Sequence, residues 1–140
     1  MPGSNFSPAA SFGLLVLRLT AAAMLAITHG WPKLMGYSER AATFPDPLHV
    51  GHDRSLMMTI FAEVLCATLV ALGFATRLAS AVLVVLFSVI LLFIHGSDPF
   101  SKRELPLLYG VVYLCLVFTG PGAYAVDARY GPKVKFGGGK

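Results

Sequence analysis

Charge is what this sequence has least of. Only 13% of its 140 residues are Asp, Glu, Lys or Arg, about half the roughly 25% found in soluble domains. So few charges cannot cover a water-facing surface. Cysteine is also scarce: Cys66 and Cys115 each sit inside an apolar run, with no CxxC spacing between them. In helices such cysteines behave as small hydrophobes, and their arrangement excludes CxxCH haem attachment. No glycine-rich phosphate loop follows a strand, no nucleophile elbow is present, and no HxxxH or HxxE spacing supports a metal site. The expected set of metal ligands is therefore none.

What the chain does have is apolar length. Hydrophobic residues make up 56% of it, with a mean hydropathy of +0.70, the composition of an integral membrane protein of one domain. A net charge of +4 then reads as basic helix ends that meet lipid headgroups rather than as a nucleic-acid surface. The segment Met1 to Pro8 carries no basic residue. No removable signal peptide is expected, and the first apolar run should remain as a helix.

Four stretches approach the roughly 20 residues that a bilayer demands: about 11–29, 55–74, 78–95 and 104–119. They are too apolar and too free of alternation to be barrel strands, and in lipid only helices or closed barrels satisfy the backbone. The expected fold is all-α: a four-helix transmembrane bundle over 11–122, up-down-up-down, with both termini on one side. A short N-terminal segment, 1–10, precedes it and a basic tail, 123–140, follows. Pro45, Pro47 and Gly51 keep the connection from Gly30 to Arg54 from forming a long helix. Arg77, Arg129, Lys133, Lys135 and Lys140 fall on the side of the termini, and Lys33, Arg40, Arg54, Lys102 and Arg103 on the other. Five against five does not decide orientation by the positive-inside rule; cytoplasmic termini are the working choice.

The informative residues are the charges inside these runs. An arginine at a helix centre costs roughly 2.5–3.5 kcal/mol on insertion scales, and Arg18 sits in the first run. Taking His29 as the far end of helix one places Arg18 about 16 Å deep. Taking Ser55 as the far end of helix two places Glu63 about 12 Å deep. The expected pairing is therefore Arg18 with Glu63, as the floor of a pocket whose mouth carries His29, Lys33, His95 and Glu104. Phe61, Phe87, Phe93 and Tyr109 are candidates for its apolar walls. A purely structural Arg18–Glu63 pair that holds two helices in register is the alternative.

In order along the chain, Leu17-Arg18-Leu19, His29-Gly30-Trp31-Pro32-Lys33-Leu34, Glu63, Leu72-Gly73 with Thr76-Arg77-Leu78, His95, Glu104, Gly120-Pro121-Gly122 and Asp127 resemble the DoxX family of small four-helix membrane proteins, grouped with DoxD- and MauE-like proteins. Where that family commonly has a serine shortly before the terminal aspartate, this chain has Ala125-Val126. The resemblance implies a protein of the bacterial inner membrane. It also implies a link to membrane oxidoreductase systems of sulfur and thiol chemistry, with quinone as a candidate ligand and no covalently bound cofactor. Arg77 and Asp127 are read as structural polar residues.

Three functions follow. The first is a quinone-interacting subunit, in which Arg18 polarises a carbonyl and Glu63 or a histidine relays the proton. Such a subunit would need a redox partner protein, because the chain has no electron carrier of its own unless Cys66 and Cys115 take part. The second is a non-catalytic membrane scaffold that recruits a soluble enzyme through the Gly30–Arg54 loop and the basic tail. The third is a small transporter, which would require a homo-oligomer.

Overall fold

The computed structural model describes residues 6–130. Among them all regular structure is helical, in six helices: α1 (Pro8–Met35), α2 (Tyr37–Arg40), α3 (His52–Leu72), α4 (Thr76–Ile94), α5 (Phe100–Thr119) and α6 (Val126–Tyr130). Three of them, α1, α3 and α4, are long and apolar enough to cross a membrane. A helix, α5, also covers the fourth expected stretch, but it is not among these three. Its first turns hold Lys102, Arg103 and Glu104, so it begins four residues earlier than the apolar run suggested. Lys133, Lys135 and Lys140 of the expected basic tail lie outside the described residues.

The helix ends follow from local chemistry. Ser7 opens α1, its hydroxyl accepting from the Ala10 amide at 3.2 Å with Pro8 next in the chain, the usual start of a helix. Gly73 closes α3 in the left-handed region, φ +73, where a Cβ would be strained. Hydroxyls on the outer faces bond back into their own helices: Thr28 to the Met24 carbonyl, Thr68 to Val64 and Ser88 to Val84. Lipid offers them no partner, so the helix itself supplies one.

The core is built from Ala21, Ala22 and Leu25 of α1, Ala62, Cys66, Ala67 and Val70 of α3, Ala79, Leu83 and Phe87 of α4, and Tyr109, Tyr113 and Leu116 of α5. Small residues from α1 and α3 meet at this seam, which lets the backbones approach. Gly30 lies close against α3: an added Cβ would lie 3.0 Å from the Glu63 backbone and 2.8 Å from Val64. Large apolar side chains such as Phe12, Ile27, Leu78, Val85 and Phe118 point outward, the arrangement for a protein whose solvent is hydrocarbon.

Helix one does not end at His29. A π-helical turn, Ala26–Gly30, carries it on through Pro32 to Met35, and the Trp31 amide reaches back to the Ala26 carbonyl. Proline offers no amide to the carbonyl four residues before it, and the widened turn is where the ladder shifts by one residue. Two more π turns occur, one inside α3 at Phe61–Cys66 and one that ends α4 at Ile90–Ile94. Such turns are rare and concentrate at functional sites. Here all three surround the same space.

Candidate functional site

The extension of α1 changes which charges meet. Arg18 does not pair with Glu63. Its guanidinium donates to the carbonyls of Val70 (3.2 Å), Ala71 (2.5 Å) and Tyr124, and the Asp127 carboxylate acts on it electrostatically. The last carbonyls of a helix lack partners and carry the negative end of its dipole, so a buried arginine at the end of α3 is well matched. The expected pairing erred in register. Gly30, not His29 as a helix end, lies beside Glu63, and Arg18 is twelve residues, about 18 Å, further along α1.

Asp127 completes this cluster. Its side chain accepts from the Ala75 and Thr76 amides at 2.8 and 2.9 Å, and its own amide donates to the Gly73 carbonyl at 2.8 Å. The C-terminal segment thereby caps the start of α4 from a distance. Gly73 admits it: a Cβ there would lie 2.5 Å from Ala125 Cβ and 2.6 Å from Arg18 Nη1. Arg77 packs along Gly120, where an added Cβ would meet its Nε at 3.2 Å. Arg18, Gly73, Ala125 and Asp127 form a structural clasp.

Glu63 answers a different cation. Lys33 Nζ lies 2.5 Å from Glu63 Oε2, with side-chain exposures of 19% and 3%. This pair sits in a cavity of about 410 Å³ that His29, Lys33, Thr59, Glu63, Phe87 and Tyr109 help to line, within the 300–1,000 Å³ typical of small-molecule sites. Each π turn supplies part of it: His29 from α1, Glu63 from α3, Ile90 and Ile94 from α4. His29 stands edge-on to Tyr109 with centroids 6.2 Å apart, and Phe87 stacks on Tyr109 at 5.1 Å.

Of the expected pocket residues, the structure brings His29, Lys33, Glu63 and His95 to this cavity. It places Arg18 elsewhere, and Glu104 is exposed on α5 outside the lining. Lys102, two residues earlier, takes its place. Among the expected wall aromatics, Phe87 and Tyr109 line the cavity, whereas Phe61 and Phe93 point outward. Cys66 is buried and Cys115 exposed, both as free thiols, so they do not form a disulfide pair.

Two features had no sequence signal. One is Tyr113, fully buried with its hydroxyl lacking a hydrogen-bond partner and stacked on Phe87 at 6.1 Å. The other is the cover: Phe44, Pro45, Pro47, Leu48 and Val50 of the α2–α3 connection close over the cavity. Asp46 organises that cover, accepting from the Val50 and Gly51 amides at 3.0 and 2.8 Å and from the Ser55 hydroxyl at 2.7 Å. These bonds, led by Ser55, hold its carboxyl below the ordinary carboxylate range. Tyr37 donates to Asp53, and that carboxylate pushes the phenol above its usual value. At the rim, Asp98 bonds the His95 ring at 2.8 Å and is held below its usual range by it.

Comparison with known proteins adds the following. Residues 13–96 match the DoxX family, a stretch that contains the clasp arginine, the Lys33–Glu63 pair and His95. An "Uncharacterized protein" of Haemophilus influenzae is 29% identical over 138 aligned residues, which cover 91% of this chain and 97% of that protein. No solved structure matches the chain.

Proposed function

We propose a function from one premise: the chain belongs to the DoxX family, whose match spans more than half of it, and it is a membrane protein. In this reading α1, α3, α4 and α5 cross the bacterial inner membrane as an up-down-up-down bundle with both termini in the cytoplasm. The cavity at the opposite end binds the head group of a quinone. The protein is the quinone-interacting subunit of an oxidoreductase system of sulfur and thiol chemistry.

The observation that carries this reading is the Lys33–Glu63 pair in a largely apolar cavity. A quinone ring needs apolar walls, a donor at a carbonyl oxygen and a proton source. Phe87 and Tyr109 supply the walls, the Lys33 ammonium the donor, and Glu63 with His29 the proton-exchanging groups. When bound, the quinone accepts two electrons and two protons. The electrons come from a partner protein, because neither free cysteine is placed to carry them: one is buried in the core and the other faces lipid. Lys33 orients the acceptor, Glu63 and His29 exchange protons with it, and the cover over 44–50 keeps water from the head group.

The test is solvent extraction of the purified protein, with quinone measured by mass spectrometry beside an equally hydrophobic control protein. Near-equimolar quinone supports the reading. Quinone at the control's level removes it.

A further inference from the structure

α3 and α4 form a hairpin on the turn at Gly73–Ala75. They pack together from that turn as far as the π turn Phe61–Cys66, and beyond it His52–Ile60 has no comparable packing on α4. The cavity occupies the opened part. Met58 and Ala62 stand on one wall and Val82, Val85 and Val89 on the other, each set at helical spacing on one face.

Met58 and Val85 line the cavity and are 56% and 63% exposed, so each has a side open to the exterior. Side chains that border both spaces mark where the cavity reaches the exterior. Val85 lies nine residues from the end of α4 at Ile94, about 14 Å along the axis, well inside a hydrocarbon layer of roughly 30 Å. The opening therefore faces lipid rather than water. Its edges are apolar, and the charged pair lies elsewhere along the cavity lining.

We propose that the gap between α3 and α4, bordered by Met58 and Val85, is a lateral portal through which the apolar tail of a lipid-soluble quinone passes while its head group rests against Lys33. The identity of the head group rests on the function proposed above; the portal rests on the parted helices and the doubly bordering side chains. A ligand of this site is thus an amphiphile drawn from the bilayer, and Val85 discriminates by tail rather than by ring.

The test has two arms. In the first, Val85→Trp fills the gap, and Val111→Trp, on an outward face of α5 away from the cavity, serves as control. The portal predicts at least a tenfold loss of co-purified isoprenoid quinone in Val85→Trp alone, with binding of a tail-less dimethoxy-methyl-benzoquinone kept within about twofold. Unchanged quinone, or equal loss of both ligands, overturns it. The second arm does not depend on quinone. Trp31 is the single tryptophan, so Phe87→Trp in a Trp31→Phe background reports from the cavity in nanodiscs whose acyl chains carry bromine. Quenching at least twice that seen for Tyr113→Trp, a buried position outside the lining, supports a lipid-open portal even if no quinone is found. Equal quenching at the two positions overturns the portal whatever the quinone result.

Discussion

The Lys33 ammonium meets the Glu63 carboxylate at 2.5 Å, an ion pair that joins α1 to α3. A carboxylate so deeply buried depends on its partner. Lys33→Met should cost about 3–5 kcal/mol, the penalty for leaving a buried charge unpaired, and Lys33→Met with Glu63→Gln should recover most of it. Thermal unfolding in mild detergent measures both. Single and double variants of equal stability would show that the pair does not form.

Arg18 should behave independently of that pair. Its bonds to the Val70, Ala71 and Tyr124 carbonyls are charge-assisted, about 1.5–3 kcal/mol each at most. Arg18→Ala should therefore unfold at markedly lower temperature, and Glu63→Gln should not rescue it. Rescue would restore the Arg18–Glu63 pairing expected from the sequence. Asp127→Ala, which removes the cap on α4, should cost about 0.5–2 kcal/mol and be less than additive with Arg18→Ala.

Two glycines give opposite outcomes. Gly73→Ala meets Ala125 and the Arg18 guanidinium at 2.5 and 2.6 Å in a left-handed backbone, so folded yield should fall sharply. Gly13 lies inside α1 with nothing within 4 Å of an added Cβ. Gly13→Ala should stabilise by about 0.5–1 kcal/mol through helix propensity. Size-exclusion profiles and melting curves of the two variants check the contrast.

The cover over the cavity should loosen in acid. Asp46 lies outside the membrane-spanning helices, and its carboxyl is held below the ordinary value of 3.8. A carboxylate depressed on folding contributes stability above its unfolded value and loses it as pH falls through the folded one. Exchange protection of the Val50 and Gly51 amides, corrected for intrinsic rates, should hold at neutral pH and fall once the pH drops below 3.8. Asp46→Asn should show weak protection without that pH dependence. Protection that persists in the variant would place the restraint elsewhere in the connection.

The helices were legible in the sequence because lipid leaves few alternatives for apolar runs of this length. What composition could not reveal was register. Pro32 reads as a stop, yet the π turn before it lets α1 continue to Met35. The two helices also meet about three turns from the expected level, so Lys33 rather than Arg18 stands opposite Glu63. His29, Lys33, Glu63 and His95 were identifiable as polar residues at one end of the bundle, which survives an error in register. Glu104 was not in the site because α5 begins at Phe100 and turns it outward, with Lys102 on the cavity side. Tyr113 and the cover at 44–50 depend on which face a helix buries and how a loop folds back, and neither has a local sequence pattern.

The central claim is that the Lys33–Glu63 pair holds a quinone head group. The most direct measurement is quinone content, by extraction and mass spectrometry, of the Lys33→Met, Glu63→Gln double variant beside the wild-type protein, both shown to be folded by their melting curves. The account predicts near-equimolar quinone in the wild-type protein and a loss of at least tenfold in a variant that still melts cooperatively. A folded double variant that retains its quinone would contradict it.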